Sequence, residues 1–275
     1  PTGDRAYVAN NGAGSVSVID TATNTVIATT KVGMAPAGVA VNNISGRIYV
    51  ANTNSDSVSV IDGATNTVIA TAKVGDQPRD VAVSPDGTTV VVTSYGGNSL
   101  LRIDTATNTP TLVGPVGSHP VGVAYSLDGA TIAVANSNDT VALIDPTTWT
   151  TTQTVAIDAK PMAGSHDVTI TPDGHVWVSD MGSKAVRVIS TNTTTTIGVG
   201  AGPTTMAISP DGTRAYATNT FDNTVSVINT ATNTVIAIIP VGIQPAGMAL
   251  NPAGTRAYVT NEGATTVSVI DTTTP

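Results

Sequence analysis

The sequence predicts an all-β fold, a seven-bladed β-propeller of four-stranded antiparallel blades in which the first and last blades are incomplete. Three observations predict it. A unit of about 42 residues repeats, with Pro36, Pro78, Pro120, Pro161, Pro203 and Pro245 spaced by 42, 42, 41, 42 and 42 residues. Each copy holds four short, β-branched, alternating runs separated by turn residues. No copy holds a helical period long enough to compete. Four strands in each unit of about 40 residues is the pattern of a propeller blade, whose faces are buried only by stacking on neighbouring blades.

Residues 204–245 show the unit most cleanly, with the runs MAIS, RAYAT, TVSVI and TVIAI. Between the first two lies Ser209-Pro210-Asp211-Gly212, where Pro pre-sets φ, Asp caps the turn and Gly takes a positive φ. Between the last two lies a Thr/Asn turn, NTATNT. The blades run approximately 1–36, 37–78, 79–120, 121–161, 162–203, 204–245 and 246–275. Blade 1 begins at its second strand and blade 7 ends after its third, so 26 strands are expected where a full ring needs 28. Either the ring closes with two thin blades or the natural protein extends beyond both ends; six blades with spare strands is the alternative count.

Composition narrows the function classes. With 275 residues and 40% hydrophobic content the chain buries one large core, and with aromatics at 3% Val, Ile and Ala do the packing. No window approaches the roughly 18 apolar residues of a membrane helix, so no membrane insertion is expected. No basic-then-apolar leader is present, as expected of a mature or trimmed form. A net charge of −8, from 11 Lys+Arg against 19 Asp+Glu, argues against nucleic acid as a partner. Cysteine is absent, which removes disulfides, Cys-ligated zinc and Cys nucleophiles and fits an extracytoplasmic location. No GxGxxG, Walker, HExxH or GxSxG pattern occurs, and no cofactor is predicted.

The strings Tyr7-Val8-Ala9-Asn10, Tyr49-Val50-Ala51-Asn52, Tyr216-Ala217-Thr218-Asn219 and Tyr258-Val259-Thr260-Asn261, with VSVIDTATNTVIAT at Val16–Thr29 and its near-copy at Val58–Thr71, resemble the repeats of the YVTN-family β-propellers. The resemblance covers essentially the whole chain. Blades 3, 4 and 5 depart from it, with Val91, Ala133 and Trp177 at the Tyr position. It implies an exported or cell-surface propeller, similar to archaeal surface-layer proteins and bacterial periplasmic binding proteins, with lactonases, lyases and haem enzymes among more distant propellers. It assigns no chemistry, because one fold hosts many functions.

Two periodic sets are expected to be structural. Asp20, Asp62, Asp104, Asp145 and Asp271 follow the third strands, where each can accept backbone N–H bonds of its own turn, the alternative being a row of metal-binding carboxylates. Asn10, Asn52, Asn136, Asn219 and Asn261 end the second strands and are expected to cap a loop in a left-handed or turn conformation, the alternative being a ring of amides that binds sugar or ion.

The informative positions break the repeat. Where most blades begin with small residues, blade 3 has Arg79-Asp80 and blade 5 has His166-Asp167, and His119 precedes blade 4. At the end of the second strand Asn becomes Ser94 and Asp180, followed by Tyr95 and Met181, with Lys184 nearby. These loops share the channel-mouth face. Arg79, Asp80, Tyr95, His119, His166, Asp167 and Asp180 are therefore the candidate binding residues. Three readings are open: a two-His-plus-carboxylate metal site of His119, His166 and Asp167, or His–Asp acid–base chemistry; a non-catalytic ligand-binding mouth; and a solvated surface network. His175 starts a second strand on the opposite face, Trp149 covers an outer edge, and Trp177 is core. The function expected is a non-enzymatic extracytoplasmic binding or scaffold propeller whose partner is a protein or cell-envelope component, with a small-molecule ligand also open. The alternative is a lactonase-like hydrolase or lyase using the His/Asp/Arg cluster.

Overall fold

The structure, a computed structural model, describes residues 3–157, 167–191 and 193–273. Blade 1 consists of β1 (Arg5–Asn10), β2 (Ser15–Asp20) and β3 (Thr25–Lys31), and blade 2 of β4 (Pro36–Val41), β5 (Arg47–Asn52), β6 (Ser57–Asp62) and β7 (Thr67–Lys73). Blade 3 follows as β8 (Pro78–Val83), β9 (Thr89–Ser94), β10 (Ser99–Asp104) and β11 (Pro110–Pro115), and blade 4 as β12 (Pro120–Tyr125), β13 (Ile132–Asn136), β14 (Thr140–Asp145) and β15 (Thr150–Ala156). Blade 5 is β16 (Val168–Ile170), β17 (Val176–Asp180), β18 (Ala185–Ser190) and β19 (Thr193–Gly198). Blade 6 is β20 (Pro203–Ile208), β21 (Arg214–Asn219), β22 (Thr224–Asn229) and β23 (Thr234–Pro240), and blade 7 is β24 (Pro245–Leu250), β25 (Arg256–Asn261) and β26 (Thr266–Asp271). Every blade is a simple meander, with three strands in the first and last sheets and four in the rest. The fold is a seven-bladed β-propeller, which decides against six blades. Each repeating Pro that the structure describes opens a first strand rather than ending the blade before it.

The chain divides into two compact units, Pro1–Asn138 with Ala142–Thr154, and Asp139–Val141 with Val155–Pro275. In the first unit, alternate residues of β5 enter two different cores. Ile48 and Val50 join Val16 and Ile61, while Tyr49 and Ala51 join Val60, Val90, Val92 and Ile103. A strand buried on both faces reads as a continuous apolar run, which is why RIYVAN shows little polar alternation. The second unit repeats the scheme. Trp177 of β17, 1% exposed, packs with Met206, Ala215, Ala217 and Ile228, and Tyr216 packs with Val225, Val259 and Ile270.

The first strands of blades 2, 3, 4, 6 and 7 carry an irregularity. Pairing skips from Pro36 to Val39, from Pro78 to Val81, from Pro120 to Val123, from Pro203 to Met206 and from Pro245 to Met248. Such a bulge leaves a backbone N–H without a ladder partner and re-aims the side chains beside it. In four blades a hydroxyl near the end of the second strand accepts the freed N–H. Asp80 N–H bonds Thr93 Oγ1 at 3.0 Å, Asp167 N–H bonds Ser179 Oγ at 2.9 Å, Thr205 N–H bonds Thr218 Oγ1 at 3.0 Å, and Gly247 N–H bonds Thr260 Oγ1 at 2.8 Å. Three of these hydroxyls reach on to the next blade: Thr93 to Val121 O at 2.8 Å, Ser179 to Thr204 O at 2.9 Å and Thr218 to Ala246 O at 3.3 Å. A single Thr or Ser thus staples two inner strands.

Candidate functional site

The Asn at the end of the second strand acts as a clamp. Asn52 Nδ2 donates to Ser57 Oγ at 3.2 Å and Ser59 Oγ at 3.0 Å, and its Oδ1 accepts Gly33 N–H at 3.1 Å. Asn219 and Asn261 clamp Thr224 and Ser226, and Thr266 and Ser268, in the same way. Asn52 is extended, at φ −105, rather than left-handed. The positive φ falls four residues later, at Asp56, Asn98 and Asn223, because the amide is needed across the sheet and the turn reverses after it. The turn carboxylates behave as expected. Asp20, Asp104, Asp145 and Asp271 accept N–H bonds from the next two or three residues. Those bonds hold all four carboxyls below the usual Asp range, chiefly through Thr23, Thr107, Thr147 and Thr273.

Against that periodic background, the six described candidate residues separate into two groups. Asp80 sits in the bulge of β8 with both oxygens on backbone: Val81 N–H reaches Oδ1 at 2.8 Å and Val123 N–H, on the next blade, reaches Oδ2 at 3.0 Å. Burial of this carboxyl pushes its pKa up to about 6 despite the two amides. Asp167 repeats the arrangement in the second unit, with Val168 N–H on Oδ1 at 2.9 Å and Met206 N–H on Oδ2 at 2.8 Å. Each Asp adds a second staple beside the hydroxyl one. Asp180 takes the clamp position of blade 5. It accepts Arg187 Nε at 3.2 Å and Nη2 at 3.0 Å, and also bonds Ser183. Its side chain is 1% exposed and that of Arg187 12%. His166 lies outside the described residues.

The second group is Arg79, Tyr95 and His119, all in the first unit. Arg79 stands in the β8 bulge, Tyr95 follows β9, and His119 precedes β12. The Arg79 guanidinium lies over the Tyr95 ring, 4.8 Å from its centroid. The Tyr95 and His119 rings are 4.7 Å apart, tilted by 55°. The backbone beneath is held on both sides. Tyr95 N–H donates to Gln77 O at 3.0 Å, and His119 N–H donates to Asn98 Oδ1 at 2.8 Å. His119 has φ 52, as Ala35, Gln77 and Gln244 do at matching positions, so this left-handed turn belongs to the repeat and the imidazole is the addition. His119 Nδ1 is bonded to Ser118 Oγ at 2.9 Å, and among the described residues Nε2 has no hydrogen-bond partner. Arg79 and His119 are exposed and Tyr95 is half-buried.

Among the described residues no three of His, Asp and Glu gather as a metal-holding group. His119 and Asp167 fall in different units. His175 pairs with Asp173 at 2.8 Å on an exposed turn. Trp149 is covered by Arg102, whose guanidinium lies 4.5 Å from its ring centroid. The first unit also holds a cavity of about 410 Å³ between the inner strands β4, β8 and β12. Its rim carries exposed Ile44 and Leu127, and burial raises the Tyr125 hydroxyl pKa in its wall above the ordinary value. Sequence reasoning missed Arg187. The signal for it was present, because Arg187 replaces the clamp's Ser17, Ser59, Ser226 and Ser268 in the one blade where Asp replaces Asn.

A family model described as the SMP-30/gluconolactonase/LRE-like region matches residues 95–241. The chain belongs to this family. The matched stretch opens at Tyr95 and includes His119. No curated protein matches the chain in sequence. Among solved structures, Kuenenia stuttgartiensis hydrazine synthase is similar at a TM-score of 0.93 and 24% identity, over 100% of this chain and 94% of that one. A functionally unknown protein from Desulfotomaculum acetoxidans gives 0.81 and 18%, over 98% and 93%. Streptogramin B lyase gives 0.82 and 12%, over 96% and 89%. At these identities the likenesses speak to the fold.

Proposed function

We propose that this member of the family is a non-enzymatic recognition and scaffold propeller that works outside the cytoplasm and engages a protein or cell-envelope component through the loops around Tyr95. The observation that carries the reading is the division of the repeat-breaking residues. Asp80, Asp167 and Asp180 direct their carboxylates to backbone amides, Arg187 and Ser183, while Arg79, Tyr95 and His119 form a supported patch that includes two exposed side chains. Among the described residues no carboxylate is paired with the His119 imidazole, whose Nδ1 is bonded to Ser118. The absence of cysteine and the YVTN-like repeats support the location.

The test is retention on isolated bacterial cell-envelope fragments. The variant Arg79→Ala/Tyr95→Thr/His119→Ala places in blade 3 and its exit loop the residues found at Ala37, Thr53 and Ala35. The wild type should be retained and the triple variant should pass through. Equal retention of both would remove the reading.

Family membership favours a second reading, lactone hydrolysis or a lyase reaction at the same loops. It predicts acid release from a panel of aldonolactones, or elimination of a cyclic ester, at a rate abolished by His119→Ala. Turnover on either panel would displace the binding role.

A further inference from the structure

We propose that Arg79, Tyr95 and His119 form a subsite for a carboxylated sugar, a hexuronate unit of an acidic polysaccharide. The inference rests on the recognition reading above and names the ligand class of that site.

The chain is acidic, with a net charge of −8, yet at this point it exposes an arginine for which the described residues provide no ion pair. Asp76, on the loop before β8, lies against Gly96 and makes no salt bridge to Arg79. The guanidinium is positioned instead by the Tyr95 ring beneath it. A cation held over an aromatic face keeps its in-plane N–H donors available, and the planar fork of Arg matches a carboxylate with two parallel bonds. Stacking restricts the side chain before any ligand arrives, so less rotamer freedom is lost on binding.

The neighbouring imidazole supplies the rest of the recognition. With Nδ1 committed to Ser118, the exposed His119 ring keeps Nε2 for a further bond, and it packs on the same Tyr95 ring over which Arg79 is held. A pyranose whose carboxylate sits on Arg79 also has hydroxyls for Nε2 and apolar C–H groups for the aromatic rings. A phosphate or sulfate would satisfy Arg79 but would leave the two rings unused. An extended acidic peptide needs several cations in a row, and the matching positions of the other described blades carry Ala37, Val121, Thr204 and Ala246 in place of Arg79. One fork beside two rings suits one charged sugar at a time.

The experiment is calorimetric titration of the whole protein with trigalacturonate, with the uncharged galactose trimer and with pentaglutamate. Trigalacturonate should bind at one site per chain in the millimolar range or tighter, and both other probes at least about tenfold more weakly. Arg79→Ala should weaken trigalacturonate binding by about tenfold or more, with Arg79→Lys, which keeps the charge without the fork, falling between. Circular dichroism and cooperative urea unfolding establish that each variant is folded. An affinity unchanged in Arg79→Ala, pentaglutamate binding as tightly as trigalacturonate, or no heat with trigalacturonate at millimolar concentration each overturns the assignment. If trigalacturonate fails while envelope retention still depends on the triple variant, the ligand class falls and the recognition function stands. If retention ignores the triple variant as well, both fall.

Discussion

Blades 5 and 6 finish their second strands by different chemistry in the same backbone frame. In blade 6 the neutral amide of Asn219 spans Thr224 and Ser226, at 3.0 and 2.9 Å, and Gly200 presses against it. In blade 5 the same space holds the Asp180 carboxylate and the Arg187 guanidinium. Both tie the end of the second strand to the third. They differ in what happens when a partner is lost. A neutral clamp gives up hydrogen bonds worth about 1 kcal/mol each, whereas a buried ion pair leaves a charge in low dielectric. The repeat therefore preserves a task while its residues vary, and a residue that looks functional because it breaks the pattern can be that task done another way.

The largest test of this comparison is Asp180→Ala. Taking the carboxylate away from the largely buried Arg187 should cost about 3–5 kcal/mol, read as a lowered urea midpoint. The variant Asp180→Asn/Ala185→Thr/Arg187→Ser rebuilds the blade 6 clamp, with Thr and Ser at the positions of Thr224 and Ser226, and should recover most of that loss. If this rebuilt variant is as unstable as the single one, the two clamps are not equivalent. Next is Gly200→Ala. A Cβ there meets Asn219 Cγ at 2.6 Å, and crowding of this kind costs about 1–3 kcal/mol. Gly12→Ala, with nothing within 4 Å, is the control and should leave thermal stability nearly unchanged.

A smaller effect separates hydroxyl staples from carboxylate ones. Thr218→Val keeps shape but leaves Thr205 N–H without its acceptor, a cost of about 1–2 kcal/mol in chemical denaturation. At Asp80 the signature is pH dependence. Its folded pKa, about 6, lies above the ordinary 3.8, so the fold favours the neutral acid. Its contribution to stability is full below about 4 and is lost as pH rises through about 6. Relative to Asp80→Gly, the residue found at Gly38, the wild type should lose stability as pH is raised across that window. The exposed turn carboxylates Asp20, Asp104, Asp145 and Asp271 have the opposite sign: their pKa values are lowered, so their support is present above about 4 and fades as pH falls further. A flat difference curve between wild type and Asp80→Gly would show that the Asp80 carboxyl is not held in a buried state.

Much of this fold could be read from the residues. A period of 42 with Ser-Pro-Asp-Gly turns and β-branched runs leaves little besides stacked meanders, and both three-stranded blades follow from counting runs. The Asp turns could be read as well, because their partners lie two or three residues away. The Asn clamp could not, since its partners belong to the next strand and appear only once the register is set. For the same reason Asp80 and Asp167 look like binding groups in the sequence: nothing local reveals that their acceptors serve amides at Val123 and Met206, 43 and 39 residues away. Arg79, Tyr95 and His119 stand 16 and 24 residues apart, and only the bulge and the turns bring them into one stack.

The hydroxyl staples are unevenly distributed, and this bears on how the chain assembles. Blades 1 and 2 carry nearly the same third and fourth strands, Val16–Thr29 and Val58–Thr71, and have Ala9 and Ala51, as blade 4 has Ala135, where blades 3, 5, 6 and 7 place Thr or Ser. Two interchangeable segments without the bond that distinguishes a correct neighbour from an incorrect one make this the part of the chain where strands trade places during folding. In blades 3, 5 and 6 the hydroxyls of Thr93, Ser179 and Thr218 bond the next inner strand, so each of those neighbours is marked by a contact that an exchanged segment carrying Ala would lack.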